Sequence, residues 1–320
     1  MAQLASLAAA SAWPTVSSAQ AFPNKAITLI APYPAGGGVD AVARLLSERL
    51  ASRLGQSITV DNKPGAGATL GATALARANN DGYTLMLGSI VDYSIAPHVH
   101  KALPFDMAKD LLPIVEVGFG TVALIVNAEL PARSVQELIA LAKAKPGTLF
   151  YGSSGLGGLQ HLNGEMFKQM AAVDLVHVPY KGSAQLMPDL IAGRIPVSID
   201  SIPAHLPHIR TGKTRALAVA SRTRSAALPD VPTMAEAGLG DYESATNYTL
   251  FAPARTPVDV VALLNRETNA VLKMPEVIEK LAAIGIVSTG GTTEQAQARV
   301  PVEMKKWAEV IRKGNLQLSP

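Results

Sequence analysis

Two glycine-rich turns, each placed between an apolar strand and a helical pattern, constrain this chain more than any other feature. They are Pro34-Ala35-Gly36-Gly37-Gly38 and Gly152-Ser153-Ser154-Gly155-Leu156-Gly157-Gly158. Glycine lets the backbone approach a ligand closely, and free amides at a helix N-terminus favour a carboxylate or phosphate. Either turn alone is equally compatible with ordinary turn chemistry. Together, and without Lys, Arg or His in either one, they predict one anion held from two sides.

The composition narrows the class of protein. The chain has 320 residues, of which 48% are hydrophobic and 17% charged, which is typical of a compact globular protein with room for two domains. The net charge of +3 mildly favours an anionic partner. The sequence has no cluster of basic residues of the kind that binds nucleic acid. Because there is no cysteine, disulfides, thiolate catalysis and Cys-based zinc sites are excluded.

The N-terminus predicts export. Residues 1–21 are rich in Ala, Ser and Leu, carry no charged side chain and end in Ala19-Gln20-Ala21. That ending has the form of a signal-peptidase site, so cleavage after Ala21 is expected. Pro14 and several serines interrupt the segment well short of the about 20 apolar residues that span a bilayer. We therefore interpret residues 1–21 as a signal peptide.

The rest of the chain alternates between strand and helix patterns. This order predicts an α/β fold with mainly parallel strands and ligands at their carboxyl ends. One α/β unit is followed by a second, and the chain then returns to the first through a strand near Leu250–Pro253 and three helices. The predicted domains are 22–123 plus 247–320, and 124–246. Two interdomain crossings of this kind are the connectivity of a hinge-closing binding protein.

Six short blocks, in order along nearly the whole mature chain, resemble one known family. The blocks are Pro32–Asp40, Asn62–Gly67, Asn80–Leu85, Tyr151–Gly155 with Gln160–Leu162, His177–Gly182 and Leu228–Thr233. They are similar to the Bug-type substrate-binding proteins of tripartite tricarboxylate transporters. The resemblance implies a two-lobed type II periplasmic binding-protein fold, with a cleft at the hinge that captures a small carboxylate for a membrane permease. It also implies that the two glycine loops hold one carboxylate group largely by backbone amides and bridging waters.

Three positions depart from the family pattern. Gly158 and Val39 stand where a hydroxyl residue is common, so the site depends more on backbone donors. Asp92 lies in a segment whose sequence differs from the usual family motif. This carboxylate could repel a second ligand carboxylate or pair with a ligand amine.

The candidate ligand-binding residues come from both loops and from strand ends. Asp40 is better suited to capping its helix or to its dipole than to touching a ligand, although it fits the family pattern. His161 is at least as well suited to packing as to ligand contact. His161 and Glu165 supply too few ligands for a metal, so no metal, cofactor or catalytic residue is predicted. The candidates are Tyr33, Pro34, Ala35, Gly36, Gly37, Gly38, Asp40, Ser89, Ser153, Ser154, Gly157, Gly158, His161, Asp200 and Ser201.

Enzyme signatures are incomplete in this sequence. The second loop does not match the G-x-S-x-G nucleophile elbow, and the first lacks the G-x-G-x-x-G spelling of a dinucleotide site. We therefore expect a periplasmic, monomeric solute-binding protein that delivers a small carboxylate to a tripartite tricarboxylate-type permease. Two alternatives remain open: a sensor component that presents its closed form to a signalling partner, and a carboxylate-processing enzyme that uses His161 or Asp200.

Overall fold

The computed structural model describes residues 22–99 and 102–313. The predicted signal peptide, residues 1–21, lies outside the described residues. The described chain alternates strands and helices, as the sequence predicts. Its elements up to the first crossing are β1 Ile27–Ala31, α1 Gly38–Leu54, β2 Ile58–Asn62, α2 Thr69–Ala76, β3 Thr84–Gly88, α3 Ile90–Val99, α4 Met107–Asp110 and β4 Leu111–Asn127.

The remaining elements build a second α/β unit and return to the first. The second unit comprises α5 Val135–Ala144, β5 Phe150–Ser153, α6 Leu159–Ala171, β6 Val176–Pro179, α7 Ser183–Ile191, β7 Val197–Ser201, α8 Ile202–Arg210 and β8 Thr214–Val219. The returning segment comprises β9 Ala245–Pro253, α9 Val258–Leu272, α10 Pro275–Ala283, β10 Ile286–Ser288 and α11 Thr293–Lys313. Within the described chain, no helix is both long and apolar enough to cross a membrane.

The strands form one path with two halves. The order is β2-β1-β3-β9-β4-β7-β5-β6, and β8 and β10 pair with β4 outside this path. In the first half, β2, β1 and β3 are parallel; in the second half, β7, β5 and β6 are parallel. The long strand β4 joins the halves, because its start pairs with β9 and its end with β7. The predicted α/β fold, with parallel strands in each half and two crossings between the halves, is confirmed.

Strand β4 differs from its prediction. Gly118 and Gly120 predict a break, but the strand continues through both, with a register shift between Glu116 and Gly118. A Cβ atom at Gly118 would lie 2.5 Å from the carbonyl oxygen of Val287. The glycine therefore permits the close approach of β10, which pairs with β4 at this point.

Each half has its own apolar core, and helices connect the two. Ile27, Leu46 and Leu264 belong to the core of the first half, whereas Leu124 and Phe167 belong to that of the second. A further cluster joins α3, α6 and α11 through buried side chains of both halves. This cluster brings the N-terminus of α3 next to that of α6. Its members are Val91, Ile95, Leu159, Leu162, Trp307 and Ile311.

Helix α6 packs directly on β5, and Gly164 is the residue that makes this possible. A Cβ atom at Gly164 would lie 2.0 Å from the ring of Tyr151. We expect Gly164→Ala to lower the free energy of unfolding by about 1–3 kcal/mol, because the added methyl group overpacks the core. Urea denaturation measures this change.

A matched control is Gly240→Ala, because a Cβ atom there meets nothing within 4 Å. We expect it to change the unfolding free energy by less than about 0.5 kcal/mol. Equal effects of the two substitutions would contradict the packing explanation.

Candidate functional site

Two parallel strands of the first half, β1 and β3, and three of the second half, β5, β6 and β7, end at one place between the halves. Each is followed directly by a helix, so the N-termini of α1, α3, α6, α7 and α8 face a common space. This space is a cavity of about 30 Å³. No Lys, Arg or His lines it among the described residues. Its lining comprises Tyr33, Pro34, Gly37, Gly38, Val39, Ser89, Asp92, Ser154, Gln160, Gly182, Ser183, Ala184, Ser201, Thr246 and Tyr248.

The first glycine loop presents the N-terminus of α1 to the cavity. Gly37 is the N-cap, and the first intrahelical bond runs from the Ala41 N–H to its carbonyl oxygen, at 3.0 Å. The N–H groups of Gly38 and Val39 therefore have no intrahelical acceptor. Both residues line the cavity. These amides, together with the positive end of the helix dipole, can bind an anion.

Asp40 stabilises this loop from behind. Its carboxylate accepts hydrogen bonds from the Gly36 N–H, the Arg44 Nε and the Asn62 Nδ2, each at 3.0 Å. Burial alone would raise the pKa of Asp40, but these donors hold it below its ordinary value. Asp40 does not line the cavity, and Ala35 and Gly36 are exposed. Ligand contact by these three residues stays a prediction.

Amides of the second glycine loop and of the first residue of α6 have partners within the protein. The Gly157 N–H donates to Nδ1 of His161 at 3.1 Å, and the Leu159 N–H donates to Oδ1 of Asp92 at 3.1 Å. Ser154 lines the cavity, whereas Gly157 and Gly158 do not. The two loops thus meet at one cavity, as the sequence predicts, but they differ in how many donors they leave free.

Asp92 links the two halves. It stands on α3 of the first half, and its acceptor bond from Leu159 reaches the first turn of α6 in the second half. Its other oxygen, Oδ2, accepts from the Tyr33 hydroxyl at 2.8 Å. Burial raises the pKa of the Asp92 carboxyl, and the nearby charge of Asp200 adds to this effect. An internal carboxylate therefore occupies the helix N-terminus where a ligand carboxylate was expected.

Asp200 and Ser201 end β7 and have different roles. Ser201 lines the cavity, whereas the fully buried Asp200 lies behind it. The Asp200 carboxylate accepts hydrogen bonds from the Ser183 hydroxyl and from the Ser201 N–H, the latter at 2.6 Å. It also lies 3.1 Å from Nε2 of His205. Burial opposes ionisation of Asp200, but His205, Ser183 and the Ser201 amide together lower its pKa. Asp200 thus fixes the start of α7 and α8 beside the cavity.

A pair of stacked histidine rings supports the second loop. His161 and His177 lie parallel, with ring centroids 3.8 Å apart, and Tyr151 stacks on His177 at 4.9 Å. Nε2 of His177 is 2.7 Å from Oγ of Ser153, which also donates to the Gly155 carbonyl. Neither histidine lines the cavity. Both hold the shape of the loop that contributes Ser154 to it.

Several cavity residues were not among the sequence candidates. Gly182 and Ser183 follow β6, and Thr246 and Tyr248 lie on β9, which crosses between the halves. The end of β6 could have indicated the first pair, because the sequence predicts that strand. Gln160 is adjacent to a predicted glycine loop. Nothing local in the sequence indicates that β9 brings Thr246 and Tyr248 to the same cavity.

The histidine pair makes the stability of the protein depend on pH. Burial lowers the pKa of His161 from 6.5 to about 4, and burial with the neighbouring His161 lowers that of His177 to about 3. Between about pH 6.5 and 4 these two histidines bind more protons in the unfolded chain than in the folded protein. The free energy of unfolding is therefore highest above about pH 6.5 and decreases as the pH falls through this range. Each histidine contributes a slope of about 1.4 kcal/mol per pH unit.

We expect His161→Asn to reduce this slope, because the Asn Oδ1 can accept from Gly157 without titrating. Urea denaturation at pH 7.5, 6 and 5 measures the unfolding free energies. The exposed His98 supplies the control, and His98→Asn should leave the slope unchanged. The explanation is wrong if His161→Asn and the wild type have the same slope.

Known proteins match the chain over nearly its whole length. The family described as "Tripartite tricarboxylate transporter family receptor" matches residues 42–316. The chain is 36% identical over 302 residues to the protein BugT of Bordetella pertussis, and the match covers 94% of this chain and 93% of BugT.

Solved structures agree with this match. The R. palustris protein Rpa4515 with adipate has a TM-score of 0.90 and 36% identity, covering 92% of this chain and 99% of that one. The periplasmic binding protein BugD has a TM-score of 0.89 and 32% identity, covering 93% and 100%. The chain therefore belongs to the Bug-type receptors of the tripartite tricarboxylate transporter family.

Proposed function

We propose that this protein is a periplasmic solute-binding protein, which captures a small carboxylate between the two halves and delivers it to a tripartite tricarboxylate-type permease. The observation that carries the proposal is the cavity between the halves, with the free amides of α1 directed to it. In this proposal the protein is exported with residues 1–21 removed, works as a monomer and carries out no reaction.

The first support is the chemistry of the cavity wall. A carboxylate needs donors, and the Gly38 and Val39 N–H groups provide them at the positive end of α1. Ser154 lies in the same lining, and its hydroxyl adds a donor in another direction, whereas the hydroxyl hydrogen of Ser183 is donated to Asp200. The relative Rpa4515, which has the same fold, is described with adipate, a carboxylate.

The second support is the contact between the halves around the cavity. A Cβ atom at Gly67 would lie 3.1 Å from the Leu156 carbonyl oxygen, and one at Gly182 would lie 2.7 Å from Cδ of Pro34. The halves therefore touch at both places. Because the enclosed space is only about 30 Å³, a ligand needs the halves to separate before it can enter.

The proposed hinge lies where β4 and β9 cross between the halves. The moving bodies are then residues 22–123 with 247–320, and residues 124–246. Rotation at these two strands changes the distance between α1 and the second glycine loop and leaves the separate core of each half intact, while the cluster of α3, α6 and α11 opens. Closure on a ligand would bring donors from both halves around one carboxylate.

A thermal-shift panel of small carboxylates, followed by calorimetry on the strongest hits, tests the proposal. The protein, residues 22 onward, is first unfolded and refolded to remove any bound ligand. A ligand at a hundred times its dissociation constant stabilises the folded protein by about 2.7 kcal/mol. A saturable shift with a carboxylate and no product formed is the expected result. No shift with any carboxylate, or turnover of one that binds, would contradict it.

The amide of Gly38 can be tested with two substitutions that share a Cβ atom. Gly38→Ala and Gly38→Pro both place that atom 3.0 Å from Oη of Tyr248 and 3.2 Å from Cβ of Pro203. Only proline removes the N–H group. The first helical position accepts proline, and Gly37 has the extended conformation that a following proline requires.

We expect Gly38→Pro to bind the strongest carboxylate of the panel about ten to a hundred times more weakly than Gly38→Ala, since a hydrogen bond to a charged group contributes about 1.5–3 kcal/mol. Calorimetry gives the two dissociation constants, and circular dichroism checks that both variants fold. Equal constants would show that this amide does not bind the ligand.

A further inference from the structure

The charge available to a ligand in this cavity is limited. Five helix N-termini surround it, and each is equivalent to roughly +0.5 charge, or about +2.5 in total. Asp92 offsets about two of these termini, and one ligand carboxylate would offset about two more. No cationic side chain lines the cavity among the described residues, and Asp200 lies directly behind the wall. Only about +0.5 of the total of about +2.5 then remains, so a second ligand carboxylate would be largely uncompensated.

The carboxylate oxygens of Asp92 can accept a further hydrogen bond from the cavity. A carboxylate has about four lone-pair positions, and three groups of the protein use them here: the Leu159 N–H, the Tyr33 hydroxyl and the Ser89 hydroxyl. About one position therefore remains for a ligand. The side chain is 4% exposed and belongs to the cavity wall. A buried acceptor with an unused lone pair is costly unless a donor reaches it.

Two further buried side chains of the lining have unsatisfied oxygens. Oε1 of Gln160 and Oγ1 of Thr246 have no hydrogen-bond partner among the described residues, and each residue is 6% exposed. Gln160 follows Leu159, the residue that donates to Asp92, so its side chain belongs to the same part of the second half. Buried oxygens of this kind are normally paired. Here they supply acceptors for a donor group on the ligand.

We propose that the cleft selects a ligand with one carboxylate and one hydrogen-bond donor, and that Asp92 is the residue that excludes dicarboxylates. The ligand carboxylate binds at the amides of α1. The donor, an ammonium or hydroxyl group, binds at Asp92 with Gln160 beside it. This inference rests on the proposed function, because it assigns the chemistry at the other end of the same ligand.

Four matched probes separate the possibilities. Succinate, 4-aminobutyrate, 4-hydroxybutyrate and butyrate have the same carbon chain and differ only at one end. The three-carbon set of malonate, 3-aminopropionate, 3-hydroxypropionate and propionate covers a shorter cavity. If a longer acid is the strongest binder of the panel, its own dicarboxylate, amino, hydroxy and unsubstituted forms are compared. Calorimetry gives each dissociation constant.

In the wild type we expect the amino or hydroxy form to bind at least about tenfold more tightly than the matched dicarboxylate, because like charges in a buried site cost several kcal/mol. Tighter binding of the amino form identifies the donor as an ammonium group, and tighter binding of the hydroxy form identifies it as a hydroxyl. Asp92→Asn should reduce the preference over the dicarboxylate at least about tenfold. The thermal midpoint checks that this variant remains folded.

Asp230→Asn is the control, because it also removes one negative charge but at an exposed position. It should leave all ratios unchanged. If Asp92→Asn does not fold, the wild-type ratios alone still decide. A dicarboxylate that binds the wild type as tightly as its matched forms overturns this inference and leaves the proposed function intact. Failure of every carboxylate in the panel overturns the proposed function itself.

Discussion

The structure depends on one requirement: the free N–H groups at its helix N-termini need acceptors. Where five such ends meet, the protein supplies some acceptors itself and leaves others open. The Leu159 amide of α6 has Asp92, and the start of α8 has Asp200, whereas the first amides of α1 have none. The two glycine loops face the same cavity, but the amides of one are free and those beside the other are occupied. The two ends of the site therefore differ. This distribution of free and occupied amides also explains why the loops need no charged side chain of their own.

A second group of polar contacts fixes the crossing strands. Glu116 of β4 is buried, and its carboxylate accepts from Asn247 of β9 at 3.1 Å and pairs with Arg299 of α11 at 2.6 Å. Burial raises the pKa of Glu116, although Arg299 opposes this. The Glu116 carbonyl oxygen also accepts from Gly290 at 2.9 Å. Both crossing strands are thereby tied to α11, so in the proposed closure the rotation occurs on the second-half side of this point.

The sequence predicted elements well where local chemistry decides them. The pattern after Gly157-Gly158 predicts a helix over 159–171, and the run after Pro196 predicts a strand over 197–201; both have these bounds in the structure. It missed α3, where Ile90, Tyr93 and Ile95 are all buried, so the helix has no amphipathic periodicity. The three-residue strand β10 is too short to give a pattern. The fold class followed from the order of elements, which single missed elements do not change.

The site was harder to predict than the fold because its decisive contacts are long-range. The free amides of α1 can be inferred from three consecutive glycines before a helical pattern, because they mark the start of the helix and its first N–H groups have no intrahelical acceptor. The bond between Asp92 and Leu159 joins positions 67 residues apart, and no local pattern encodes it. Local backbone features and long-range side-chain contacts also differ in what they determine: the first recognise the carboxylate group, and the second determine which carboxylate an individual protein binds. Backbone amides recognise a carboxylate with little dependence on side chains, so they suit many ligands. In the proposed function, selectivity among carboxylates therefore resides in side chains such as Asp92 and Gln160.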